Sequence, residues 1–230
     1  MTRLDGAVIL VTGATGGLGS RVSTRLTDAG ATVVRAARRP ASLTGDDAMT
    51  ADLRAPGAPA ALVAATLERH GRLDGLVVAA GVVAFGPAAD LEDATIDELF
   101  ETNALGPMRL IRDAMPALAA SAAEGREPFV LTLSGIVADT PTAGLAAYSA
   151  SKAALAAFTT AASREFRRQG VRLVDARPGH TETGLATRPI EGTAPAFPTG
   201  YDPDAVAERV VRAIADGEKD LPDSAFAPAG

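Results

Sequence analysis

"AVILVTGATGGLGSRVSTRLTDAG", residues 7 to 30, is the stretch on which the fold turns. It opens with a short apolar run, rich in β-branched side chains, that ends at once in a cluster of glycines, as a buried strand does. Beyond the cluster Val22 and Leu26 stand four apart, one helical turn, and Gly30 follows as a helix C-cap. Gly13, Gly17 and Gly19 form G-x-x-x-G-x-G between strand and helix. Glycines let a backbone turn sharply and approach a pyrophosphate, and the helix that follows offers unpaired N–H groups and a partial positive charge. A tight turn alone would also account for the glycines. The strand before them and the helix after them make a dinucleotide site the better reading.

The alternation continues outward from this unit. Strands are expected at 31 to 37, 47 to 53, 73 to 81, 128 to 134 and 171 to 179. Helices are expected at 59 to 71, at 95 to 123 with an interruption at Gly106-Pro107, at 146 to 170, and at 202 to 217 with Pro203 in the first turn. Strands apolar on both faces and separated by helices imply an α/β fold, a doubly wound parallel sheet of Rossmann type, in a single domain over residues 1 to 230. Ligands of such sheets lie beyond the carboxyl ends of the strands, where the glycine turn, Gly81, Ser134 and Pro178 converge. Residues 184 to 202, rich in Pro and Gly and without periodicity, are a candidate substrate lid, with a disordered loop as the equal alternative.

Composition narrows the function. The chain of 230 residues is 47% hydrophobic and 22% charged, enough for one large core. A net charge of −6 opposes nucleic-acid binding, which needs clustered Lys and Arg. The absence of cysteine removes disulfides, thiolate nucleophiles and Cys-based metal sites, and fits a cytoplasmic setting. The longest apolar stretch, Leu76 to Phe85, is about half of what a membrane helix needs, and the early run "AVILV" is too short for a signal-peptide core. Neither a membrane span nor a targeting segment is expected.

Tyr148 and Lys152 lie i, i+4 on a predicted helix and so share a face. A phenol is a poor acid or base near neutrality, but a neighbouring ammonium favours the phenolate and lowers its pKa, so the pair can move a proton. Alone, such a pair is usually a packed ring beside a solvated amine; the converging strand ends favour a site. At the end of the second strand, Ala37 stands where a carboxylate would read a ribose 2′-hydroxyl, and Arg38 and Arg39 follow. Arginine there suits a 2′-phosphate, hence NADP, with NAD possible. Asp52, after the third strand, is either an adenine reader or a turn cap.

Taken together, "TGATGGLG" (12 to 19), Asp52 in "ADL", Asn103 in "ETNALG", Ser134, "YSASK" (148 to 152) and "RPGHTET" (177 to 183) resemble the motif set of the classical short-chain dehydrogenase/reductase family over essentially the whole chain. The resemblance implies hydride transfer between a nicotinamide and a small-molecule carbonyl or alcohol. Tyr148 would be the acid/base, Lys152 would lower its pKa and bond the nicotinamide ribose, and Asn103 would hold a water of a proton relay. Cofactor contacts would come from Gly13, Thr15, Gly17, Leu18 and Gly19 in the turn, from Arg38, Asp52 and Leu53, from Ala80 and Gly81 beneath the adenosine, and from Pro178, Gly179, Thr181 and Thr183 at the nicotinamide. It also implies a homodimer or homotetramer.

Two departures qualify the match. The family's usual Asn-Asn-Ala-Gly is here "VAAG", Val78 to Gly81, without the side chains that brace the sheet. The family's catalytic serine, thirteen residues before the tyrosine, is here Gly135, and Ser134 matches the residue before it. Neighbouring side chains on an extended segment face opposite sides. Either one extra residue downstream lets Ser134 take the catalytic place, which is the favoured reading, or the site works with Tyr148 and Lys152 alone. The sequence therefore supports an NADP-preferring carbonyl reductase; its rivals are an NAD-linked alcohol dehydrogenase of the same fold and a catalytically weakened cofactor-binding sensor.

Overall fold

Six parallel strands form one sheet in the order β3-β2-β1-β4-β5-β6. They are β1 (Val8–Thr12), β2 (Thr32–Ala37), β3 (Ala48–Thr50), β4 (Gly75–Val78), β5 (Phe129–Leu133) and β6 (Arg172–Ala176). Helices α1 (Gly17–Asp28), α2 (Ala58–His70), α3 (Asp93–Phe100), α4 (Gly106–Ala123), α5 (Ala146–Phe166) and α6 (Pro203–Asp216) alternate with them. The computed structural model describes residues 1 to 39, 43 and 45 to 227.

Every residue of β1 and β4 is buried, as a sheet covered on both sides requires. Ile9 and Val11 of β1 join a core with Val22 and Leu26 of α1 and Val206 and Val210 of α6. Val8 and Leu10 point the other way, into a core with Leu62 of α2, Leu110 and Ile111 of α4 and Leu155 of α5. At about 1.5–3 kcal/mol for each fully buried aliphatic side chain, the two cores fix the sheet rigidly. Strand order reverses between β1 and β4, which opens a crevice at their carboxyl ends.

The stretch 95 to 123 differs from expectation. Gly106-Pro107 does not break it: α3 passes through one π-helical turn, Glu101–Leu105, directly into α4. Pro107 falls in the first turn of α4, where its missing N–H is no loss. Gly106 lets the helix lie against the segment after β3, since a Cβ there would stand 3.0 Å from Leu53 Cβ and 2.9 Å from the Glu101 carbonyl oxygen. Among the described residues, no helix is long and apolar enough to cross a membrane.

Candidate active site

A cleft of about 850 Å³ runs along the carboxyl ends of the strands. Its floor at one end is the glycine turn. Gly13 has φ +68°, and a Cβ on it would stand 2.5 Å from the Ala80 nitrogen, so the turn nests against the end of β4 only because the position is bare. Gly17 plays the same part toward the far wall, where an added Cβ would be 2.5 Å from Thr183 Cβ. Gly19 packs on the Gly13 carbonyl beneath the surface. Helix α1 starts at Gly17 with no side-chain cap and no acidic residue in its first turn. Its positive end is thus left for an anion.

Thr15 and Leu18 line the cleft with Gly13 and Gly17, while Gly19 does not border it, and Arg38, Asp52 and Leu53 line its outer end. Sequence reasoning missed Arg54, which grips Asp52 with Nε at 3.0 Å from Oδ1 and Nη2 at 2.7 Å from Oδ2. That grip holds the Asp52 carboxyl below its ordinary range. Arg54 also bonds Glu98 at 3.0 Å, and Arg38 reaches the same carboxylate at 3.6 Å. Arg39 also lines the cleft, so three guanidinium groups border its outer end. Thr102 was missed too: it lines the cleft, yet its buried hydroxyl has no hydrogen-bond partner among the described residues. No spacing rule singles out either residue: Thr102 is marked only by its burial, and Arg54 by a bond to Glu98 on a distant helix.

Ala80, Gly81, Tyr148, Lys152, Pro178, Gly179, Thr181 and Thr183 all border the same cleft. Lys152, 6% exposed, donates from Nζ to the Leu133 carbonyl at 2.8 Å. Loss of hydration pushes its pKa down to about 8, opposed by the negative charge of Asp175. Burial likewise pushes the Tyr148 phenol up to about 12. The lowered phenol pKa expected from the i, i+4 pairing is thus not what this arrangement gives; desolvation prevails, and the amine is the group brought toward neutrality.

Asn103, in the π turn and fully buried, accepts from the Val82 nitrogen at 2.9 Å and donates to the Val82 carbonyl at 2.9 Å and to Ser151 Oγ at 3.0 Å. Its amide braces the segment after β4, the support that "VAAG" lacks. Gly81 lies between this amide and the lysine: an added Cβ would be 3.2 Å from Asn103 Oδ1 and 3.3 Å from Lys152 Nζ.

Ser134 is not where the favoured reading put it. Its side chain is fully buried and its hydroxyl donates to Asp175 Oδ2 at 2.5 Å, away from Tyr148. Ser134 and Gly135 both border the cleft; Gly135 has φ +78°, and an added Cβ there would meet only the Pro178 carbonyl at 3.6 Å. The bond to Asp175 on β6 sets the direction of the Ser134 hydroxyl.

Residues 184 to 202 roof the other end. Ile190 donates to the Val83 carbonyl at 2.8 Å and Phe85 to the Glu191 carbonyl at 3.0 Å, while Tyr201 donates to the His180 carbonyl at 2.7 Å. Gly192 sits directly on the Phe85 carbonyl, where no side chain fits. Phe197 stacks on the His180 ring at 4.7 Å and meets Phe85 at 6.0 Å. The segment is therefore docked at Ile190, Glu191 and Tyr201, beside an apolar chamber lined by Val83, Phe85, Val137, Leu145 and Leu185.

Comparison with known proteins agrees with this geometry. The family model for short chain dehydrogenase matches residues 7 to 192. A monensin polyketide synthase putative ketoacyl reductase of Streptomyces virginiae is 32% identical over 214 residues, 86% of this chain and 80% of that protein. A 3-ketoacyl-(acyl-carrier-protein) reductase from Brucella melitensis, solved with NADH, superposes with a TM-score of 0.84 at 25% identity, covering 97% of this chain and 100% of the other. An actinorhodin polyketide ketoreductase variant with NADPH gives 0.82 at 29% identity, covering 96% and 97%. With the sheet order, the glycine turn and the tyrosine and lysine on α5 all in place, the chain belongs to the short-chain dehydrogenase/reductase family, and it is an oxidoreductase of that family.

Proposed function

We propose that the protein is an NADP-preferring carbonyl reductase for a moderately apolar substrate, with Tyr148 as the proton donor. The observation that carries this reading is the continuity of one cleft from the arginines beyond β2, past the uncapped N-terminus of α1, to Tyr148 and the apolar chamber. The residues fit a nicotinamide dinucleotide: the bare glycines form a cradle that any Cβ would fill, the helix end suits a pyrophosphate, and Arg38 with its neighbours suits a 2′-phosphate. When bound, the cofactor supplies the hydride to the carbonyl carbon.

The protein's own part is the proton. A phenol held up at about 12 keeps its hydrogen at neutral pH and is ready to give it to the oxygen of a carbonyl that becomes an alcohol. Lys152, held down to about 8, exchanges protons readily near neutrality and can restore the phenol. Asn103 has its amide fully engaged, so a relay water at this residue would be held by the main chain of the π turn. With Gly135 in the serine's place, the developing oxyanion has one donor fewer, at a cost on the order of 10²-fold in rate. The segment 184 to 202 would act as the substrate cover, and a homodimer or homotetramer follows from the family's common habit.

The test is a fluorescence titration with NADPH and NADH, then turnover on a panel of ketones and aldehydes. Tighter NADPH binding with turnover of apolar ketones is expected. Tight binding with no turnover on any carbonyl would favour a cofactor-binding sensor, the reading that Gly135 keeps alive.

A further inference from the structure

Ser134 and Asp175 form a buried polar pair directly behind the lysine. The Asp175 carboxylate, 4% exposed, receives Ser134 Oγ at 2.5 Å, Thr132 Oγ1 at 2.7 Å and Arg177 Nη1 at 3.3 Å. Burial pushes the Asp175 carboxyl above its ordinary range, and these three donors oppose that shift and favour the carboxylate. Ser134 is tied to β6 twice, since its backbone nitrogen also donates to the Ala176 carbonyl at 3.1 Å. The residue before it, Leu133, carries the carbonyl that accepts Lys152 Nζ at 2.8 Å. The remaining titratable or charged neighbours are Tyr148 on the lysine's own helix, and Asp139 and Asp220, which hold the far side of Arg177 at 2.6 and 2.8 Å.

We propose that Asp175 is a positioning residue for the Tyr148 and Lys152 pair: through Ser134 its carboxylate fixes the Leu133 carbonyl that receives the Lys152 ammonium, and it serves as that ammonium's buried counter-charge. The proposal rests on Tyr148 and Lys152 being the catalytic pair. It gives the displaced serine a function, since Ser134 holds the carboxylate and leaves the substrate alone. It also explains how an amine stripped of water stays protonated near neutrality, because an opposite charge nearby favours the charged form.

The sequence makes a direct measurement possible, because its only lysines are Lys152 and Lys219. In ¹³C-lysine-labelled protein the two ε-methylene signals can be titrated without any cofactor or substrate. Lys152 should titrate near 8 in the wild type, and Asp175→Asn should lower its midpoint by about one pH unit, a tenfold change in protonation at fixed pH, with Lys219 unmoved. The high-pH limb of the kcat/KM profile should shift by the same amount. Asp175→Ser removes the same charge with a smaller side chain should the asparagine variant not fold. In the wild type itself, the Lys152 signal should show a second, acidic inflection as Asp175 takes up its proton. A purely structural role would lower stability and leave the Lys152 midpoint in place; that outcome, or the absence of the acidic inflection, would overturn the proposal. Loss of carbonyl turnover alone would bear on the function and not on this coupling.

Discussion

Replacing Lys152 by methionine should abolish activity and make the protein more stable. The lysine is 6% exposed, and burial brings its pKa from 10.5 to about 8. At about 1.4 kcal/mol per pH unit, that interval makes the charged form about 3 kcal/mol less favourable in the fold than in the open chain. Methionine fills nearly the same volume without charge. It gives up the bond to the Leu133 carbonyl, a loss of about 1–2 kcal/mol, so the net gain is about 1–2 kcal/mol. For a chain of this size the melting temperature should rise by about 2–8 °C.

The pH dependence separates this account from a generic gain. Below about pH 8 folded and unfolded forms both hold the ammonium, and its full cost is present. Between about 8 and 10.5 the folded protein has released the proton while the unfolded chain still binds it, so wild-type stability rises with pH across that window. Tyr148 acts in the opposite sense higher up: the folded phenol keeps its proton to about 12 and the unfolded one loses it from 10.0, so stability falls over that range. Urea unfolding at about pH 7 and about pH 9.5 spans the lysine's window. The difference between the methionine variant and wild type should shrink at the higher pH. A variant less stable than wild type at neutral pH would refute the reasoning.

Three further outcomes are expected. Ser134→Ala should act on stability, losing about 1.5–3 kcal/mol for a hydrogen bond to a charged group, and chemical unfolding will read it; a loss of about 10²-fold in kcat with stability unchanged would return the hydroxyl to the active site. Arg38→Ala should weaken NADPH binding at least tenfold and NADH binding little, as paired fluorescence titrations would show. Gly192→Ala, which puts a Cβ into the Phe85 carbonyl, should raise KM for the carbonyl substrate and leave the cofactor Kd near its wild-type value, measured by steady-state kinetics beside a binding titration.

The sheet was legible because the runs at β1, β4 and β5 are short and largely apolar; the observed strands fall within the expected ranges, trimmed at their ends. The cofactor cradle was legible for a similar reason, since three glycines at fixed spacing have one geometry that uses them all. What stayed hidden depended on where a side chain points or what a distant element brings. The direction of Ser134 was open until β6 supplied Asp175. Arg54 holds Asp52 two residues away, but its bond to Glu98 joins elements that no periodicity connects. Gly106-Pro107 reads as a break from local propensity, and the π turn that absorbs it depends on tertiary packing against Leu53. The reversal at Tyr148 and Lys152 has the same origin, because i, i+4 spacing reports that two groups share a face and says nothing of how dry that face is.

Tyr148→Phe tests the central claim most directly, because it removes one oxygen from the cleft wall and leaves the ring's packing on Leu99, Val82 and Ala84 in place. The variant should bind NADPH within about threefold of wild type and lose carbonyl reduction by on the order of 10³-fold or more, a change confined to kcat. Turnover by Tyr148→Phe at the wild-type rate would contradict the assignment of Tyr148 as the proton donor.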